Sequence, residues 1–369
     1  MRHVEIAGAG IAGLTAAAAF AQNGWSVRVH ERSPELRELG AGIYIWENGL
    51  RVLERIGAFD EIAATSERLH TGELRDHRAR LLQEDRYSEV RLYAVERRTL
   101  HRVLAERATA AGVEIVLDSM VEAASPTGEL TTGRGVFAAD LVVGADGVNS
   151  RVRDSLRLLR SRSPLGDGCG RHLIPRNADD PEGVAVETWN GGRRIGIVPC
   201  SPDSTYLFLC CPEDDVRGAD QQPFDRESWL ESFPQFASQL ERIPDAPDGE
   251  YHPFADIRLW SWYRGRVAIL GDAAHGMSPN LGQAACTGMV NAVSLADHVT
   301  AGSVAEGLRR WYRAREEPSY NVQKYSRIYG KIGTKWPRAA LGLRSLLVRT
   351  VGNTKPVRNR ISYGSEIYV

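Results

Sequence analysis

The chain has 369 residues, about two or three times a common domain length, so more than one domain is expected. Basic and acidic residues nearly cancel, 46 against 47, which argues against a nucleic-acid partner. No apolar run approaches the roughly 18 residues of a membrane helix, the N-terminus lacks a signal-peptide pattern, and the five cysteines are irregularly spaced, so a reduced, cytoplasmic protein without a bound metal is expected.

The first thirty residues carry the strongest pattern. Val4-Glu5-Ile6-Ala7 reads as a strand and runs into Gly8-Ala9-Gly10-Ile11-Ala12-Gly13. Leu14 to Asn23 is an alanine-rich helix stopped at Gly24, and Ser26 to His30 is a second strand ending at Glu31. This is a βαβ unit with a nucleotide-binding glycine fingerprint. Gly8 permits the turn, Gly10 admits a pyrophosphate, and Gly13 lets the helix pack closely, with Ile11 and Ala12 opening the helix towards the phosphates. Glu31 stands where a carboxylate accepts from ribose hydroxyls, with Arg32 beside it.

Arg51 to Ile56 reads as helical, residues 73 to 93 as short strands, and Thr99 to Ala111 as a helix with Leu100, Val103, Leu104 and Ala108 on one face. Leu141-Val142-Val143 is a buried strand leading into Gly144-Ala145-Asp146-Gly147. From about 160 to 260, β-like runs alternate with Pro, Gly and Asp turns, as in an antiparallel sheet. Val267 to Leu270 is another buried strand, ending at Gly271-Asp272-Ala273-Ala274-His275 and followed by a small-residue helix from about Gly282 to His298. Leu308, Trp311 and Tyr312 mark an amphipathic helix. The fold class is therefore mixed α/β: a Rossmann-like nucleotide domain, an inserted antiparallel β-sheet domain, and a C-terminal helical segment. Asp146 and Asp272 both stand at carboxyl ends of parallel strands, where ligands bind; each would serve equally well as a helix cap or turn residue.

Together the three motifs resemble the FAD-dependent aromatic hydroxylases of the p-hydroxybenzoate hydroxylase type. Residues 40–54, Gly271–His275 with Met289–Ala292, and Thr188-Trp189-Asn190 with Pro199-Cys200 and Tyr206 are similar to the 2-methyl-3-hydroxypyridine-5-carboxylate oxygenase branch. The resemblance implies an FAD-binding domain in three parts (1–72, 96–158 and 263–330), substrate-domain strands at 73–95 and 159–262, and a helical tail at 331–369. It implies FAD as cofactor, NADH or NADPH as transient co-substrate, O2 as oxidant and a small aromatic substrate. Hydroxylation would pass through a flavin C4a-hydroperoxide.

By the same resemblance Asp146 serves flavin and nicotinamide, Asp272 meets the ribityl chain, and Arg37 and Arg97 contact FAD, with Arg98 a near-equal candidate for the latter. The turn Ser278-Pro279-Asn280-Leu281-Gly282-Gln283 lines the flavin ring, with Pro279 at the reacting oxygen and the amides near Gly282 and Gln283 facing the flavin carbonyl edge. Tyr44, Arg194, Tyr206 and Arg171 are the expected substrate contacts, since arginine suits a carboxylate or phenolate and tyrosine a ring hydroxyl. His275 reads as structural. Gly72 stands where the branch implies an aromatic contact. An epoxidase or halogenase on the same fold, or a flavin-binding redox sensor, are the competing readings, the halogenase disfavoured because no Trp-x-Trp-x-Ile occurs. Residue types leave open NADH against NADPH, ring opening against simple hydroxylation, and the oligomeric state.

Overall fold

The structure, a computed structural model, describes residues 1–36, 41–245, 247 and 251–366, with the side chains of Arg338 and residues 361–366 excepted. Its centre is a six-stranded sheet in the order Tyr263–Arg264, Val267–Ile269, Leu141–Gly144, His3–Ala7, Ser26–His30, Glu114–Val116. All neighbours are parallel except the edge pair of Tyr263–Arg264 with Val267–Ile269. Val4, Ile6, Val142, Val143, Val267 and Ile269 are fully buried, which is why these strands read as continuous apolar runs.

The helix Ile11–Gln22 is buried nearly all round, from Leu14 to Phe20. Its alanines let it lie between the sheet and two further helices, Arg97–Ala110 and Ala284–Thr300, without a wide gap. The turn between His3–Ala7 and this helix is held from below. His30 Nε2 and Glu5 Oε2 lie 2.8 Å apart, both side chains buried, and His30 Nδ1 meets Ser119 Oγ at 2.8 Å.

The inserted sheet has seven strands: His252–Leu259, Leu159–Pro175, Ser204–Pro212, Arg193–Pro199, Val184–Asn190, Thr71–Asp76 and Leu81–Arg86. It departs from the expected all-antiparallel pattern at one place, where Val184–Asn190 pairs in parallel with Thr71–Asp76. A strand delivered from a distant part of the sequence sets that direction, and no local pattern reveals it. A smaller sheet of Gly42–Trp46, Leu92–Glu96 and Glu67–Leu69 joins the two large ones.

The amphipathic helix marked by Trp311 runs from Val304 to Thr334. Ser303 caps it: its Oγ accepts from the Glu306 amide at 3.3 Å and donates to Glu306 Oε2 at 2.9 Å. Its far end is bolted to the inserted sheet. Trp189 packs edge-on against Tyr329 at 5.3 Å, and the buried Arg344 donates to the carbonyls of Gly191 and Gly333, each at 2.9 Å. No described helix is long and apolar enough to cross a membrane.

Candidate active site

One cavity of about 1120 Å³ runs from the glycine turn to the face of the inserted sheet. Gly8, Gly10, Ile11, Ala12, Glu31, Arg32, Arg97, Asp146 and Asp272 line one end; Tyr44, Arg171, Arg194, Tyr206, Pro279 and Gly282 line the other. Gly13 and Gln283 lie outside the wall, and Arg37 lies outside the described residues.

The nucleotide end is built from backbone. Gly8 has φ of +96°, and a Cβ there would lie 2.6 Å from the Ala145 carbonyl oxygen. A Cβ on Gly13 would lie 2.0 Å from the Gly8 carbonyl oxygen. Both glycines are demanded by the protein itself. Gly10 is different: a Cβ there would meet no protein atom within 4 Å. The space over Gly10 is open to the cavity, at the N-terminus of a helix with no side-chain cap. That is the arrangement a pyrophosphate requires.

Glu31 does part of what the sequence implies. Its Oε2 accepts from the Ala9 amide and its Oε1 from the Ser33 amide, both at 2.9 Å, so the carboxylate is fixed at the cavity wall with lone pairs remaining. His101, missed by the sequence reading, donates to the Ala9 carbonyl at 2.7 Å and pins the same turn. Arg97 lines the cavity, whereas Arg98 points away and pairs with Glu96 at 2.7 Å. Asp146 is a cap and more. Its Oδ2 accepts from the Arg151 and Val152 amides at 2.7 and 3.2 Å, while its Oδ1 is buried with no hydrogen-bond partner among the described residues. An orphaned buried acceptor on a ligand cavity calls for a donor from the ligand. The glycine cradle, the fixed Glu31 and this free oxygen fit a dinucleotide such as FAD.

The other end is built from side chains on separate strands. Tyr44 comes from Gly42–Trp46, Arg171 from Leu159–Pro175, Arg194 from Arg193–Pro199 and Tyr206 from Ser204–Pro212. Two glycines admit the tyrosine rings: a Cβ on Gly282 would lie 2.6 Å from Tyr44 Cδ2, and one on Gly42 would lie 2.4 Å from Tyr206 Cγ. Burial pushes both phenols above their ordinary values, so both stay protonated and can donate.

The two arginines differ. Arg194 is 1% exposed and partly occupied: it donates to Asn280 Oδ1 at 2.5 Å and to Glu187 Oε1 at 3.4 Å. Asn280 in turn donates to Ser278 Oγ and to the Ser326 carbonyl. Arg194 therefore ties the Pro279 turn to the sheet, while it lines the cavity with a buried Nε that has no hydrogen-bond partner among the described residues. Arg171 has no carboxylate within ion-pairing distance among the described residues; its close neighbours are Tyr206, Cys169 and Cys210. Burial works against its charge, but a guanidinium stays protonated in a protein.

Gly72 lines the cavity, and a Cβ there would lie 2.3 Å from Tyr87 Oη. The aromatic ring expected at this point is supplied instead by Tyr87, which also packs edge-on to Trp46 at 5.6 Å. The only sequence signal was the unexplained glycine. His275 is buried, meets Asn291 Nδ2 at 3.0 Å and stands outside the cavity wall.

Comparison with known proteins agrees with this geometry. The family described as FAD binding domain matches residues 1–307. The chain is 36% identical over 334 residues to the 2-heptyl-3-hydroxy-4(1H)-quinolone synthase of Mycobacteroides abscessus, covering 88% of each chain. It is 31% identical to the 3-amino-4-hydroxybenzoate 2-monooxygenase of Streptomyces cremeus, covering 88% of this chain and 86% of the other. Among solved structures it superposes on the tetrameric form of 2-methyl-3-hydroxypyridine-5-carboxylic acid oxygenase with a TM-score of 0.88 at 37% identity, covering 100% of this chain and 98% of that one. This chain belongs to the FAD-dependent aromatic hydroxylases, as an FAD-dependent monooxygenase.

Proposed function

We propose that this protein hydroxylates an anionic, hydroxylated N-heteroaromatic ring of the hydroxypyridine or hydroxyquinoline kind, with NADH or NADPH as electron donor and O2 as oxidant. The observation that carries the reading is Arg171: a half-buried cation on the cavity wall, without a carboxylate partner among the described residues, beside protonated Tyr206. Such a group is costly unless a ligand completes it. An anionic ring oxygen or ring carboxylate accepts from its fork in two places. The relatives' names, a quinolone synthase and a hydroxypyridine oxygenase, favour a nitrogen-containing ring.

FAD, when bound, would supply the redox chemistry that links nicotinamide and O2 to an electron-rich ring carbon. Gly8, Gly10, Glu31, Arg97, Asp146 and Asp272 would hold it. The chain's own residues do the rest. Arg171 orients the ring by its negative end. Tyr44 and Tyr206 donate to a ring hydroxyl or oxo group. Arg194 and Asn280 fix the Pro279 turn, so this wall of the chamber is held in place. Leu92, Ala185, Phe208 and Phe254 give the chamber apolar walls that limit water.

The test is NADH or NADPH oxidation by the FAD-loaded protein under ¹⁸O2, with hydroxypyridine carboxylates, 4-hydroxyquinolines and hydroxybenzoates offered separately. The expected result is ring-stimulated oxidation with one labelled oxygen in the product of an N-heteroaromatic. Stimulation and labelling confined to hydroxybenzoates, or absent with all three, would overturn the substrate reading.

A further inference from the structure

Two of the five cysteines, Cys169 and Cys210, line the cavity; Cys200, Cys211 and Cys286 do not. All five are buried and free. Cys169 and Cys210 are direct partners across the antiparallel strands Leu159–Pro175 and Ser204–Pro212. Residues directly opposite on such strands have Cα atoms about 4.5–5.5 Å apart, inside the about 4.4–6.8 Å that a disulfide bridges. The Cys169 thiol donates to the Gly170 carbonyl at 3.2 Å, and Arg171 and Arg194 lie close by. The mechanism proposed above uses neither sulfur.

We propose that Cys169 and Cys210 are a peroxide-sensitive thiol pair that closes to a cross-strand disulfide beside Arg171. The oxidant is hydrogen peroxide, which reduced flavin gives with O2 when no ring takes the oxygen, and it would arise in the same cavity. The reaction has two steps. The Cys169 sulfur attacks peroxide: an S–O bond forms, the O–O bond breaks, and the departing hydroxide takes up the Cys169 proton as water. The Cys210 sulfur then attacks the Cys169 sulfenic acid: the S–S bond forms, the S–O bond breaks, and the hydroxyl departs with the Cys210 proton as water. Two electrons pass from the sulfurs to one peroxide.

The surroundings assign the order. Burial pushes the Cys169 thiol up, but its polar surroundings, with the charges of Arg171 and Arg194, outweigh it and leave Cys169 below its ordinary value. The neighbouring Cys169 sulfur, with burial, drives Cys210 well up. Cys169 is thus the attacking sulfur and Cys210 the resolving one. Closing the bond removes the thiol next to Arg171 and stiffens the chamber wall where the anion would sit. An enzyme spending nicotinamide without substrate would then lose its substrate site.

The experiment treats the FAD-loaded protein with hydrogen peroxide, blocks remaining thiols with iodoacetamide, and reads intact mass and a peptide map. The expected product is a species about 2 Da lighter before alkylation, in which the peptides holding Cys169 and Cys210 are joined and dithiothreitol separates them. Cys210→Ser should form no bridge and should instead trap dimedone at Cys169. Cys200→Ser should bridge as the wild type does. If the wild-type map shows Cys169 and Cys210 both alkylated after peroxide, or dimedone on Cys210→Ser falls on another cysteine, the proposal is wrong. The wild-type map decides the matter even if a variant fails to fold.

Discussion

The two ends of the cavity are made by different means. The nucleotide end is one short stretch of backbone, Gly8 to Gly13, with Glu31 and Asp146 brought in by neighbouring parallel strands. The ring end has almost no local pattern: Tyr44, Arg171, Arg194 and Tyr206 come from four strands and meet only through sheet register. A site made of consecutive amides leaves a spacing in the sequence. A site made of distant side chains leaves only residue types, and those do not say which arginine is already occupied.

The largest expected effect separates the two kinds of glycine at the first end. Gly13→Ala drives a Cβ into the Gly8 carbonyl oxygen and should destabilise the apo protein by about 1–3 kcal/mol or more while abolishing FAD retention. Gly10→Ala meets no protein atom, so apo stability should hold while FAD affinity falls about 10–100-fold, the worth of one or two charge-assisted hydrogen bonds. Thermal melts with and without FAD, and FAD titration, check both. Equal loss of apo stability in the two variants would break the distinction.

At the second end the arginines should part in the same way. Arg194→Met removes the cation beside Glu187, leaving it only the neutral donors Trp189 Nε1 and Tyr329 Oη, and loosens Asn280; it should cost about 3 kcal/mol of stability and lower kcat. Arg171→Met removes a cation with no carboxylate partner. It should leave the melting temperature nearly unchanged and raise KM for an anionic ring about 10–100-fold. Melting curves and steady-state kinetics on the FAD-loaded variants read both.

Each region also holds a histidine that burial keeps neutral. Burial holds His275, beside the flavin-domain helices, and His172, in the inserted sheet, down to about 4. The unfolded chain takes up these protons first, so stability falls as pH drops from about 6.5 towards 4. Each histidine should contribute about 1–2 kcal/mol of loss at pH 5. His275→Gln should remove about half of the difference in urea midpoint between pH 7 and pH 5. An unchanged difference would mean that the acid sensitivity resides elsewhere.

The smallest effect concerns the wall that Tyr87 provides. Tyr87→Phe should shift KM by less than about tenfold, the value of one neutral hydrogen bond. Gly72→Ala should cost more alone than in the Tyr87→Phe background, because its Cβ clashes with the hydroxyl. Additivity of the two in KM would show that Tyr87 does not fill the space over Gly72.

The sequence was legible where burial or backbone chemistry is local. The βαβ unit, the strands ending at Asp146 and Asp272, and the small-residue helix all appear near their expected positions, because an apolar run followed by glycine and aspartate has few other uses. It was illegible where the answer depended on pairing. The parallel entry of Thr71–Asp76 beside Val184–Asn190, the capture of Arg194 by Asn280 and Glu187, and the arrival of Tyr87 over Gly72 all join residues on different elements or strands. His101 was missed because a histidine within an amphipathic helix carries no mark of the carbonyl it will meet.

The most direct test of the account is a titration of the FAD-loaded protein with an anionic hydroxypyridine carboxylate or hydroxyquinoline, followed through the flavin absorbance. Wild type should show a saturable change, and Arg171→Met should retain FAD yet bind the ring about 10–100-fold more weakly. Equal affinity in the two proteins would contradict the assignment of Arg171 as the anion anchor and, with it, the division of the cavity into a cofactor end and a ring end.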